Sequence, residues 1–348
     1  MTVAASTLDL PFIEGRRTNE ASDLPRDQWL ARNPFGYAVW HYDDALGILR
    51  DKRWHNASGR IPELMGITNE EFLSRQQVNI LSAEGDVHTR LRRLVAPAFS
   101  PRSADRLRPF MREVINGLVD AVAPTGRADF AKDICEPYPI PIICELLGAP
   151  KDDWRLFSRW ATDLLRIFNF NLGDEYKLVL QANRELDAYS SKLIEQRRNK
   201  PADDLLTDLI AAEEAGDRLS HDELLSMVVS VIVGGTDTTR NQLACCVALL
   251  AQYPNQWRLL AEQPELAPRA VEETMRYLGA IRGTARFASE DIVYRDVLFP
   301  KGTFLATATS AANFDPEAWD DPGTFDITRE PSGQPQLTFG SGIHYCLG

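Results

Sequence analysis

The chain has 348 residues, of which 44% are hydrophobic and 25% charged, and its formal net charge is −12 at pH 7. This composition is that of a globular chain with a large core, and the negative charge disfavours nucleic acid or an anionic membrane as the main partner. No apolar run reaches the length of a bilayer span, and residues 1–15 do not have the pattern of a secretory signal. Five cysteines without a disulfide-like spacing fit a reducing compartment, so we expect a cytoplasmic protein without a membrane span.

The N-terminal part alternates between regular and irregular segments. Residues 36–40 alternate like a short strand, and residues 43–49 carry apolar side chains at helical spacing. Residues 54–77 are irregular, with a short helix expected near Glu70. Long irregular stretches inside compact domains are often functional loops, so this segment is a candidate for shaping a ligand site.

A basic helix is predicted for residues 88–95. It has one apolar stripe and a face that carries His88, Arg90, Arg92 and Arg93. On its own this pattern is typical of a solvated surface helix. On an otherwise acidic protein, Arg90 and Arg93 would leave a positive patch, which could serve to dock an acidic partner.

Helical periodicity continues through most of the next hundred residues. It covers residues 103–122, 134–147, 154–168 and 176–198. Prolines near residue 139 suit a helix start, and Gly148 suits the C-terminal cap of the same helix. These segments predict core packing and carry no chemistry of their own.

One helix of exceptional length is predicted from residue 221 to residue 252. Ser220 and Glu223 have the spacing of a capping box, and the helix would be about 48 Å long at 1.5 Å per residue. Apolar runs on both sides of its middle indicate burial. Between them lies the polar hexad 234–239, Gly-Gly-Thr-Asp-Thr-Thr. Two interpretations are open: a kink, for which glycine pairs are common sites, or an opening of the helix beside a ligand.

The segment after the long helix contains a weaker signal. Glu273 and Arg276 lie three residues apart and would share one helix face. Surface pairs at this spacing are common and contribute little stability. Arg286 and Arg329 lie further along the chain, and short strands are expected at residues 292–294 and 303–305.

The last ten residues, Phe-Gly-Ser-Gly-Ile-His-Tyr-Cys-Leu-Gly, are the most informative stretch. Glycines allow positive φ angles and a close approach to a flat ligand, and Cys346 offers a sulfur that binds metal as the thiolate. The alternative is a glycine-rich turn with a buried structural thiol. The run F-G-x-G-x-H-x-C-x-G resembles the haem-binding loop of the cytochrome P-450 superfamily, of the bacterial soluble type.

This resemblance extends over residues 36–348 and implies a fold and a cofactor. The fold would be mainly α with a small β portion, in a single haem-binding domain over residues 1–348. The cofactor would be heme b, with Cys346 as the proximal iron ligand, a thiolate that favours O–O cleavage. His88, Arg92, Arg286 and His344 would bind the haem propionates. The residues that would pack beside the sulfur or give clearance to the macrocycle are Phe339, Gly340, Gly342 and Gly348.

The other motifs match the family in the expected order. The hexad resembles the oxygen-binding motif [A/G]-G-x-[D/E]-T-[T/S], with Asp237 as its acid and Thr238 as its hydroxyl residue. A hydroxyl can hold oxygen and water, and a carboxylate can connect the site to solvent protons. In the family the E-x-x-R pair, Glu273 and Arg276, locks onto a downstream arginine, here Arg329.

The implied function is monooxygenation: activation of O₂ with two electrons and insertion of one oxygen atom into an apolar organic substrate. The implied electron donor is a ferredoxin-type protein with its reductase, because the chain has no flavin- or nucleotide-binding stretch. The alternatives are a peroxide-driven peroxygenase and a haem-binding fragment without turnover. The family continues past the cysteine through a helix and a β-rich terminus, so we also expect a C-terminally truncated form that holds haem poorly.

Overall fold

The structure is a computed structural model, and it describes residues 2–13, 24–25, 27–168, 172–215, 219–331 and 333–348. The chain divides into two compact units. The sheet unit comprises Met1–Ala57 and Cys245–Cys346, and the helix unit comprises Ser58–Ala244 with Leu347–Gly348. The expectation of one haem-binding domain stays a prediction.

Helices make up most of the described residues. In chain order they are α1 (Tyr42–Arg50), α2 (Ile61–Leu64), α3 (Glu70–Gln77), α4 (Gly85–Val95), α5 (Pro101–Val122), α6 (Pro139–Leu147), α7 (Trp154–Leu165), α8 (Leu172–Asn199), α9 (Leu205–Glu214), α10 (His221–Gln252), α11 (Pro254–Glu262), α12 (Ala267–Tyr277) and α13 (Thr309–Ala312). A π-helical turn, Phe130–Cys135, precedes α6.

Among the described residues of the sheet unit, eight short strands form two small sheets. The strands are β1 (Val3–Ala4), β2 (Leu30–Asn33), β3 (Gly36–Val39), β4 (Trp54–Asn56), β5 (Thr284–Ala288), β6 (Ile292–Tyr294), β7 (Val297–Phe299) and β8 (Phe304–Thr307). One sheet has the order β1-β7-β6 and the other β2-β3-β8-β5-β4. In the larger sheet β3 pairs with β8 in parallel, whereas the other neighbours are antiparallel. The prediction of a mainly α fold with a small β portion is confirmed.

Local sequence signals account for several of the helix ends. Ser100 begins α5 by accepting a hydrogen bond from the Ser103 amide, and Pro101 follows at the first helical position. Gly148 ends α6 with a φ of 87°, which glycine adopts without strain. The predicted bounds of α10 are confirmed at both ends.

The sequence-based strand prediction needs one correction. The strands predicted at residues 292–294 and 303–305 are neighbours in the sequence prediction, but they do not pair with each other. Instead β6 pairs with β7, a strand that the prediction omitted, while β8 pairs with β3 and β5 in the other sheet. Arg295 and Asp296 form the tight β6–β7 turn with positive φ angles. The turn contains no glycine, so the sequence gives no signal for it.

The helix unit has one large apolar core. Its helix α3 packs against α8 through a buried ring and is also linked to it by ion pairs nearer the surface. Phe72 of α3 is fully buried, and its ring lies 6.2 Å from that of Tyr176 on α8. Arg75 donates to Asp187 at 2.5 Å, and Arg184 pairs with Glu71. The predicted irregular segment therefore contains a well-packed helix.

Candidate active site

The glycine-rich segment at residues 339–346 forms a tight loop in the sheet unit. Gly340 and Gly342 have φ angles of 69° and 74°, a region that favours glycine. The Cys346 amide donates to the Phe339 carbonyl at 3.0 Å, which closes the loop on itself. The Phe339 ring lies 6.1 Å from that of Tyr345. This backbone places Cys346 at the end of a rigid turn.

The five cysteines differ in their exposure. Cys135 and Cys144 are buried, Cys245 and Cys246 are half-buried, and Cys346 is exposed. Burial raises the pKa of the Cys144 thiol to about 12, as expected of an inert structural thiol. Cys346 is an exposed residue and therefore not a buried structural thiol like Cys144.

The predicted propionate partners lie on separate elements. His88 is buried on α4, and Arg92 lies half-buried one turn further along the same helix. Arg286 is buried on β5, where it donates to Thr284 Oγ1 at 3.1 Å and to the Ala285 carbonyl at 3.0 Å, so it is not an exposed strand charge. His344 is half-buried in the single 3₁₀ turn of the cysteine loop.

The predicted positive patch on α4 needs a correction. Arg90 is not a freely exposed cation, because it donates to both carboxylate oxygens of Glu223, at 2.6 and 3.0 Å. Glu223 also accepts from the Ser220 amide at 2.9 Å, and its own amide donates to Ser220 Oγ at 3.2 Å, so the predicted capping box is present. Arg93 remains exposed.

The polar hexad lies inside a continuous helix. The expected opening of α10 is wrong, since the helix runs unbroken from His221 to Gln252. Thr238 Oγ1 donates to the Gly234 carbonyl at 2.7 Å, and Thr236 Oγ1 donates to Ile232 at 2.5 Å, so both hydroxyls are satisfied along the helix. A side chain at Gly235 would overlap Ile143 of α6, which gives that glycine a packing role.

Asp237 is held by an ion pair that the sequence analysis missed. Its carboxylate pairs with Arg240 one turn along α10, and Arg240 Nη2 also donates to Thr162 Oγ1 of α7 at 3.1 Å. Burial raises the pKa of Asp237 above the ordinary value for aspartate, and the Arg240 guanidinium and the Asn241 side chain only partly oppose this rise. The i, i+3 spacing of Asp237 and Arg240 is the signal that could have identified the pair.

The E-x-x-R residues form a buried network with the predicted third member. Glu273 Oε2 accepts from Arg276 Nε at 2.8 Å and from Arg329 Nε at 3.2 Å. Arg276 is 2% exposed, and all five of its N–H donors have acceptors. The structure thus brings Glu273, Arg276 and Arg329 together within the sheet unit.

The cysteine loop suits a planar, thiolate-ligated group. Cys346 supplies a single soft donor, and no other described residue lies within 4 Å of the position that a side chain at Gly340 would occupy. Among the described residues, no three His, Cys, Asp or Glu side chains converge as in a metal site made of protein ligands alone. The donor set and the open face at Gly340 fit a haem with one protein sulfur ligand.

An exposed cysteine that follows two glycines with positive φ, in a mainly helical chain, suits the class of proteins in which one sulfur binds a metal-bearing group. The pattern of the cytochrome P450 family matches residues 151–348. A Cytochrome P450 CYP107DY1 from Priestia megaterium is 38% identical over 332 residues, covering 92% of this chain and 80% of that protein. The chain belongs to the cytochrome P450 family, whose members are haem proteins, and it is a P450-type monooxygenase.

Two further comparisons agree. Mycinamicin IV hydroxylase/epoxidase from Micromonospora griseorubida is 36% identical over 326 residues, covering 91% of this chain and 79% of that protein. The crystal structure of CalO2 superposes with a TM-score of 0.88 at 28% identity, covering 96% of this chain and 85% of that one. Over the residues that the structure describes, no helix is both long and apolar enough to cross a membrane.

Proposed function

We propose that this chain binds heme b through Cys346 and uses it to insert one atom of O₂ into an apolar organic substrate. The observation that carries the proposal is the exposed position of Cys346, which the backbone holds at the end of the Gly340–Gly342 turn. When bound, the haem supplies the reductive activation of dioxygen. The protein's part is to hold the group, exclude water and direct protons.

The remaining haem contacts follow the family pattern. His88, Arg92, Arg286 and His344 are proposed to bind the propionates, because Arg and protonated His donate charge-assisted hydrogen bonds to carboxylates. Phe339 is proposed to shield the sulfur, and Gly340 and Gly348 are proposed to admit the macrocycle. Gly342, which the family pattern gives the same role, is packed against the Leu49 carbonyl instead. A single haem-binding domain over residues 1–348 is part of the same proposal.

Asp237 and Thr238 are proposed to manage protons. A hydroxyl that is already bonded to the Gly234 carbonyl keeps its lone pairs available to accept from a donor such as water. Because burial raises the pKa of Asp237, the carboxyl group is a better proton donor near neutral pH than an ordinary aspartate. Arg240 opposes this rise, and it would stabilise the carboxylate that remains after Asp237 has transferred a proton.

The electron donor is proposed to be a ferredoxin-type protein with its reductase. Only Arg93 of the original α4 patch remains an exposed candidate for docking it, because Arg90 is paired. A cytoplasmic location is proposed because none of the five cysteines forms a disulfide. Relatives named for mycinamicin IV and for polyketide biosynthesis suggest an apolar natural product of that kind as the substrate.

The decisive experiment replaces the proposed ligand. The reduced carbon monoxide complex of the wild-type haem protein should show the red-shifted Soret band of thiolate ligation, and Cys346→Ala should abolish it. Cys246→Ala, which removes a half-buried thiol of α10, should leave the band unchanged. Survival of the band in Cys346→Ala would refute the ligand assignment.

Peroxide-driven chemistry is the competing possibility, and the acid–hydroxyl pair favours O₂. Thr238→Ala should retain haem but divert reducing equivalents from product to peroxide, measured as product formed per reduced cofactor consumed. Thr239→Ala, an exposed neighbour on the same helix, is the matched control. An unchanged ratio in Thr238→Ala would assign Thr238 a purely structural role.

A further inference from the structure

Helix α1 lies along the segment that leads into the cysteine loop. Near its start, Tyr42 donates its hydroxyl to the Pro335 carbonyl at 2.7 Å. At its end, Arg50 Nε donates to Ser341 Oγ at 3.1 Å. Since these two residues of α1 are about 12 Å apart along the helix axis, the helix spans the stretch from residue 335 to residue 341.

The loop also touches α1 through its backbone. A side chain at Gly342 would overlap the carbonyl oxygen of Leu49, so the glycine is required there for close packing as well as for its positive φ. Ser341, the residue before this contact, is 7% exposed. The loop therefore rests directly on the C-terminal turn of α1, four residues before Cys346.

Hydrogen bonds near its N-terminal end hold helix α1 in place. Asp315 Oδ2 accepts from the Tyr42 amide at 2.7 Å and so satisfies a free N–H at the helix start. The fully buried Asp44 accepts from the Tyr294 hydroxyl and from Arg295 Nε, both at 2.8 Å. A helix anchored in this way can serve as a fixed reference for the loop.

We infer that Arg50 is a positioning residue, which acts through Ser341 to fix the loop that presents Cys346 to the haem iron. The guanidinium makes a directional hydrogen bond, and its positive charge suits the C-terminal end of α1. Ser341 occupies a position that the loop motif leaves open, so this contact is a property of this chain's own residues. The inference rests on the proposed role of Cys346 as the iron ligand.

The test measures thiolate ligation in the haem protein. In Arg50→Ala and in Ser341→Ala, the ratio of non-thiolate to thiolate carbon monoxide complex should rise about tenfold, roughly the effect of losing a hydrogen bond from a charged donor. The double variant should be no worse than either single variant, because both remove the same contact. The haem midpoint potential should shift together with this ratio.

Two further variants distinguish the effect of the Arg50–Ser341 hydrogen bond from the effects of lost charge and of lower overall stability. Arg50→Gln keeps an N–H donor at the position of Nε and should restore most of the thiolate complex. Arg53→Ala removes a nearby exposed arginine that pairs with Asp51 and should behave as wild type. Thermal unfolding of each variant, measured alongside, should change little because Arg50 is exposed.

The outcomes distinguish this inference from the proposed function. A wild-type protein without the thiolate band would overturn both. A normal wild-type band with unchanged spectra in Arg50→Ala and Ser341→Ala would overturn only the positioning role. Additive effects in the double variant, or failure of Arg50→Gln to restore the band, would also overturn it.

Discussion

Two acid–arginine pairs with the same i, i+3 spacing behave differently in this molecule. In the sheet unit, Glu273 and Arg276 have side chains that are 3% and 1% exposed. In the helix unit, Asp237 and Arg240 have side chains that are 19% and 17% exposed. The first pair belongs to a network that satisfies every donor of its arginine, whereas the second has few partners and an aspartate with a raised pKa.

The difference shows that spacing alone does not define the role of an ion pair. A buried pair is costly to desolvate, and it persists only where further hydrogen bonds complete it, as the carbonyls of Asn313, Pro322 and Thr324 do for Arg276. An ion pair whose polar atoms have fewer hydrogen-bond partners can change those partners, and its acid can gain or lose a proton. We therefore attribute stability to the Glu273 network, and the environment of Asp237 supports its proposed role in proton handling.

The largest expected effect comes from breaking the network. Arg276→Ala should lower the free energy of unfolding by about 3–5 kcal/mol, because it leaves the buried Glu273 carboxylate without its main partner. Denaturant unfolding measures this change. Arg269→Ala, on the same helix but paired with Glu330 at the surface, should cost less than about 1 kcal/mol. Similar losses in the two variants would contradict the distinction.

A smaller effect, on rate, is expected at the other pair. Asp237→Asn keeps the shape of the side chain but removes its proton, so product formation should slow by about 10²-fold, at the lower end of what general acid catalysis contributes. Substrate-dependent turnover by the haem protein gives the rate. Asp222→Asn, which removes an exposed carboxylate at the start of the same helix, serves as a control for charge, and an unchanged rate in Asp237→Asn would remove Asp237 from the mechanism.

The pH dependence of stability should reveal the same residue. Because the folded-state pKa of Asp237 is raised, mainly by burial, its contribution to stability is present below the ordinary aspartate pKa and is lost as pH rises through the folded-state value. Asp237→Asn should therefore unfold at a higher temperature than wild type at pH 7, and this advantage should disappear near pH 3. A constant difference across that range would mean that the raised pKa is not coupled to folding.

The sequence was sufficient for features that depend on local spacing. The capping box of Ser220 and Glu223, the bounds of α10 and the E-x-x-R helix all follow from residues within one or two turns of each other. The downstream partner Arg329 came from the family pattern, since a contact across more than fifty residues has no local signal. The hydrogen bonds inside the hexad could not be predicted, because the sequence does not show that Thr236 and Thr238 donate back to carbonyls of the preceding turn.

Contacts between distant segments could not be predicted from the sequence, for a different reason. Arg50 and Ser341 lie 291 positions apart, and Arg90 and Glu223 lie 133 apart. Composition gives the number of arginines but not which carboxylate or hydroxyl each one meets. The positive patch on α4 was overestimated for this reason, since an arginine on a polar face was assumed to be free.

The smallest expected effect concerns the ion pair of Arg90 and Glu223. Its contribution to stability should have the opposite pH dependence to that of Asp237. The Arg90 guanidinium beside Glu223 lowers the pKa of that carboxyl group, so its stabilising contribution is present above the ordinary glutamate pKa and is lost as pH falls. Glu223→Gln retains an acceptor for the Ser220 amide but removes the ion pair, and Arg90 is one-third exposed, so the expected loss at pH 7 is only about 0.5–1 kcal/mol. The loss should vanish near pH 3.

Asp222→Asn, an exposed change in the same first turn, controls for the helix dipole. A loss in Glu223→Gln that persists at pH 3 would show that the cap is damaged, and no loss at pH 7 would leave Arg90 available as a docking cation after all.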